Sequence, residues 1–148
     1  MEDYDLFHQM LLRMRPIGND LAGFITRPPG GLGAAVQTQE CMIRLEGTFQ
    51  DFDDRFSALT TLVALSARMK DADDQQLVTG VLRIDVTGFL NSTSISLRMI
   101  DLTTQHSGCS QDGATLAIAQ EMKRTFKDAH ALAQTFSDRV FPNAAGRR

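Results

Sequence analysis

The amino-acid sequence predicts an all-α protein, an antiparallel four-helix bundle with long helices. Three observations carry that prediction. Apolar residues recur at alternating steps of three and four, which is the period of one face of an α-helix. Glycine and proline cluster between these stretches, where they break helices. The connectors are short enough to return each helix alongside the one before it.

The clearest ladder lies in the second quarter: Met42, Leu45, Phe49, Phe52, Phe56, Leu59 and Val63. It predicts a helix from about Ala34 to Met69, with Glu46, Gln50, Asp51, Asp54 and Arg55 on its solvated face. At 1.5 Å per residue such a helix is about 54 Å long, too long for a kinked first helix to cover. The stripe is therefore expected to continue into a homodimer contact. Gly47 weakens the helix by about 1 kcal/mol relative to Ala, or marks a close helix crossing.

An earlier helix is expected from Tyr4 to Thr26, capped by Asp3 or Asp5, with Phe7, Met10, Met14, Ile17, Leu21 and Phe24 in phase across Pro16. The continuous phase favours one kinked helix over two. Arg27-Pro28-Pro29-Gly30-Gly31-Leu32-Gly33 is a loop. Lys70 to Asp74 is a connector, in which Asp73 and Gln76 have the spacing of a capping pair.

The third segment, Gln75 to Gln105, has two readings. As a helix it aligns Leu77, Val81, Ile84, Gly88, Ile95, Met99 and Leu102 on one side. As strands, Leu82 to Thr87 and Ser94 to Met99 alternate cleanly, so a hairpin at about 81–102 would make the protein α+β. Its length matches the neighbouring helices, which favours the helical reading. After the turn-rich loop His106 to Gly113, a last helix from Ala114 to Phe141 carries Ala119, Met122, Phe126, Ala129, Ala133, Phe136 and Val140. Ser110 or Asp112 can cap it. Pro142 ends it, and 142–148 is expected to be a mobile tail of this single domain.

At 148 residues, with 43% hydrophobic and 22% charged residues, the chain has the composition of one globular domain. Trp is absent, so nine Phe and seven Met supply the large core volume. A net charge of −3 without a basic stripe argues against nucleic-acid binding. The apolar runs are far short of a membrane span. Met1-Glu2-Asp3-Tyr4-Asp5 lacks the basic start and apolar run of a signal peptide. The expected location is cytoplasmic, with Cys41 and Cys109 as free thiols.

No catalytic, metal or cofactor motif emerges. His106 and Cys109 stand as H-x-x-C, but zinc needs about four ligands, and none is tied to this loop. Gly30-Gly31-Leu32-Gly33 lacks the Lys-Ser/Thr of a phosphate-binding loop. The pairs Asp53-Asp54 and Asp73-Asp74 fall on polar surface.

His130, in Asp128-Ala129-His130-Ala131-Leu132-Ala133, resembles the phosphoacceptor of histidine-phosphotransfer domains, which place Leu two residues after a helical His. Those domains usually continue with Lys and Gly, whereas Ala133 and Gln134 stand here. Asn91, Ser92, Thr93 and Ser96 interrupt the apolar stripe of segment three and are candidates for a polar ligand pocket.

The expected function is that of a non-enzymatic interaction protein, an adaptor, chaperone-like or regulatory bundle that binds a partner protein. A small-molecule sensor using the Asn91–Ser96 region is the alternative. Phosphotransfer through His130 comes third.

Overall fold

A computed structural model describes residues 2–27 and 32–142, with the side chains of the second helix described from Val36 onward. It has four helices in chain order: α1 (Glu2–Thr26), α2 (Leu32–Arg68), α3 (Ala72–Gln105) and α4 (Gly113–Val140). The all-α reading is the right one. Segment three is a single helix, and the hairpin alternative is not supported. The expected loop at 27–33 is shorter than its sequence suggested, because Leu32 and Gly33 already belong to α2. Its centre at 28–31 and the tail at 143–148 lie outside the described residues.

Each helix packs on its sequence neighbours, and α4 closes the ring against α1. Across the diagonal the backbones of α2 and α4 approach each other, while those of α1 and α3 stay further apart among the described residues. Ala119, Ala129 and Ala133 of α4 are buried. Where the two helices meet, Phe52 stacks on Phe126 with ring centroids 3.8 Å apart. Phe7 stacks on Phe56 at 5.3 Å and meets Phe136 edge-on at 5.4 Å. Such pairs contribute about 0.5–1.5 kcal/mol each beyond their burial.

The α2 ladder from Met42 to Val63 is buried throughout, at most 5% exposed. Its length is covered inside the bundle, so it leaves no stripe for a second copy. The homodimer expected on that ground loses its reason. Pro16 sits exposed within one unbroken α1. The close crossing is at Gly18 rather than Gly47. A Cβ on Gly18 would lie 3.0 Å from Phe49 Cε2, whereas one on Gly47 would meet nothing within 4 Å.

The two ends of the bundle are held differently. At one end Cys41 and Cys109 form a disulfide across 68 residues, so they are not the free thiols expected. Both are buried, and the bond ties the loop after α3 to α2. Asp112 caps α4 by accepting from the Thr115 amide at 3.2 Å, and it also accepts from the Thr38 hydroxyl of α2 at 3.1 Å. The Gln39 side chain donates to the Ile25 carbonyl, one of the carbonyls left free where α1 stops. At the other end Asp71, not Asp73, caps α3, accepting from the amides of Asp73 and Asp74. There Arg139 of α4 pairs with Asp3 of α1.

Candidate functional site

The face of α3 that the sequence assigned to the core points outward. Leu77, Ile84 and Ile95 are 69%, 75% and 64% exposed, and Val81, Met99 and Leu102 are close to half exposed. The opposite face, Leu82, Val86, Phe89, Thr93, Ser96, Ile100 and Thr103, packs into the bundle. Its threonines are compatible with burial because each hydroxyl donates back along its own helix. Thr93 reaches the Phe89 carbonyl and Thr103 the Met99 carbonyl, both at 3.0 Å. With its hydroxyl satisfied, a threonine presents chiefly its methyl group to the core. α3 is thus apolar on two faces, and the bundle uses only one.

Along one edge of the outward seam runs the groove between α2 and α3. It widens into two cavities of about 550 and 520 Å³ that share Asp51. The first lies among Arg44, Gly47, Thr48, Ile95, Met99 and Leu102. The second lies among Asp54, Arg55, Ala58, Ile84, Asp85 and Gly88. Gly47 and Gly88 hold the groove open, since an added Cβ at either would meet only empty space. Neither glycine is required by packing inside the bundle, yet each costs about 1 kcal/mol of helix stability relative to alanine.

The charge in the groove is acidic at its centre. Arg55 pairs with Asp51 at 3.2 Å, and Asp54 accepts from Gln50 at 2.8 Å. Among the described residues Asp85 has no such partner, and its Oδ2 is enclosed without a hydrogen bond. Burial raises its carboxyl above the ordinary carboxylate range, and the charge of Arg55 opposes that only in part. Asp53, on the flank of α2, is also raised, first by burial and then by the like charge of Asp54.

The candidate pocket residues do not converge. Ser96 lines the first cavity, but Asn91 is exposed, Thr93 faces the core, and Ser92 donates to the Phe89 carbonyl at 3.0 Å. Neighbours in a helix fan out by about 100° per residue, so a contiguous polar run cannot line one cavity. His130 is half-buried, with Nδ1 enclosed and unpaired. Cys109 is bonded to Cys41, so H-x-x-C offers no thiolate to a metal. Among the described residues no three His, Cys, Asp or Glu side chains come together as a metal site, and no helix is long and apolar enough to cross a membrane.

A further cavity of about 670 Å³ opens at the Asp3–Arg139 end, between the start of α1 and the end of α4. Sequence reasoning missed both this cup and the outward seam. The cup is assembled from all four helices and has no local signature. The seam was visible as a pattern but was placed on the wrong side of its helix. Comparison with known proteins finds no matching family model, no matching curated relative and no matching solved structure.

Proposed function

We propose that this chain is a non-enzymatic interaction protein, of the adaptor, chaperone-like or regulatory kind, and that it binds protein partners through the outer face of α3. The observation that carries this reading is the seam from Leu77 to Leu102. An apolar stripe with helical spacing, beside a groove floored by glycine, suits an amphipathic helix. Six large apolar residues gathered on one helix face form a patch at the size that often marks an interaction surface rather than singly scattered exposure.

The alternative of a small-molecule sensor keeps one supporting observation, the cavity beside Ser96, whose volume falls in the range of ligand pockets. The cytoplasmic location expected from the N-terminus is harder to combine with the Cys41–Cys109 bond. Such bonds persist chiefly where the surroundings are oxidising, and the bond supports the proposal of such a compartment.

The test is affinity capture with the wild-type chain and an Ile84→Lys/Met99→Lys variant, after circular dichroism has shown equal helix content. Proteins held by the wild type and released by the variant support the reading. Identical captured sets, together with an unchanged oligomeric mass, refute it.

A further inference from the structure

The outward seam of α3 has a property beyond its hydrophobicity: it reads nearly the same in both directions. About a point between Phe89 and Leu90, Leu77 mirrors Leu102, Ile84 mirrors Ile95, and Gly88 mirrors Asn91. Val81 falls beside Met99, within one residue of its mirror position. A two-fold symmetric antiparallel contact sets each residue opposite its mirror position, so a seam that reads alike in both directions pairs large side chains with large ones at its ends and leaves small or polar ones at its middle. The order of side-chain size also suits a crossing. Large residues stand at both ends, and the small Gly88 stands at the middle, where an added Cβ would meet nothing.

We propose that the occupant of this face is a second copy of the same chain, with the two α3 helices antiparallel and crossing at Gly88. This deepens the interaction reading above and rests on it. Ile84 of each copy then packs on Ile95 of the other, and Leu77 on Leu102.

The area is appropriate. The six large apolar residues of the seam expose on the order of 600 Å², at the upper limit of what a monomer shows in one patch. A stable interface takes about 800 Å² from each partner, and the groove flanks supply the rest. Close approach at the crossing also gives Gly88 the role that the isolated bundle denies it. Among the described residues nothing inside the fold requires that position to lack a side chain.

The test is a charge exchange read by sedimentation or light-scattering mass. Wild type is expected to run as a dimer. Ile84→Lys and Ile95→Glu, each substituted at a well-exposed position, should keep the helix content of the wild type. Each should weaken association by about tenfold or more. Mixed in equal amounts, the two variants should form a dimer again. The antiparallel register sets position 84 of one chain opposite position 95 of the other, so the introduced cation meets the introduced anion. A parallel pairing would set position 84 against position 84 and would not rescue.

A wild-type monomer at all concentrations, or variants that stay apart on mixing, would overturn the proposal. The two readings can fail separately. A monomeric wild type that still loses captured protein on Ile84→Lys keeps the interaction role and removes the self-pairing. Unchanged mass and unchanged capture remove both.

Discussion

Removing the Cys41–Cys109 bond should cost this protein a large part of its stability. The bond closes a loop over 68 residues, which joins the start of α2 to the turn before α4. In the loop-entropy relation, releasing a loop of that size frees the unfolded chain by about 4 kcal/mol at 25 °C. A chain of this size shifts its melting midpoint by about 2–4 °C per kcal/mol, so a drop of roughly 10 °C is expected. The measurement is thermal melting by circular dichroism, with and without a phosphine reductant. Alkylation and mass spectrometry establish the thiol state of each sample. Because both sulfurs are buried, the sample should be reduced in denaturant and refolded before the comparison. Equal midpoints for verified disulfide and dithiol forms would refute the entropic reasoning. Two alkylatable thiols in the untreated, denatured protein would refute the bond itself.

Three further outcomes are expected. Gly18→Ala should destabilise by about 1 kcal/mol, because overpacking costs about 1–3 kcal/mol and exceeds the gain in helix propensity. Phe49 is confined by its stack on Phe126, at 6.3 Å between centroids, and cannot yield freely. Gly47→Ala should instead stabilise by about 1 kcal/mol, and chemical denaturation giving the same sign for both would contradict the packing assigned to Gly18. Asp85 has a folded pKa above its unfolded value, so its favourable contribution is complete below about pH 3.9 and is lost as pH rises through the folded pKa. Asp85→Asn should therefore raise the midpoint at pH 7 and leave it nearly unchanged at pH 3, whereas a variant less stable at pH 7 would show that Asp85 is favourably paired.

The fold was legible wherever one stripe dominated its helix. The α2 ladder from Met42 to Val63 named its buried face without error, because the exposed apolar residues of that helix, Val36, Ile43 and Leu65, are too few to form a second ladder. α3 defeated the same reasoning. Its outer seam is made of Leu, Val, Ile and Met, while its inner face includes Thr93, Ser96 and Thr103. Periodicity marks which residues share a side, and hydropathy then picks the greasier side as the core. That second step fails where, as at Thr93 and Thr103, the hydroxyl is satisfied within its own helix, since the sequence counts it as polar and the core does not. The disulfide was hidden for another reason. Cys41 and Cys109 belong to different segments, and only the packing of the loop after α3 against α2 brings them together. The Asn91–Ser96 run was a local cluster in sequence that the helix disperses in space.

The unequal fastening of the two ends gives the molecule a direction in which it comes apart. The disulfide end carries a covalent tie, the Asp112 network and the Gln39 bond to α1. The opposite end has the half-exposed Arg139–Asp3 pair and the brief connector at 69–71. Local opening should therefore begin at that connector and travel toward the tie, like a zip with one closed end. Amide protons in the first turns of α3 would exchange with solvent earlier than those near Ile100, and a protease would nick the chain near Lys70 before cutting elsewhere in α2 or α3. Leu77 and Val81 stand on the part that loosens first, so that end of the seam is also the place where an incoming helix finds the most pliable ground.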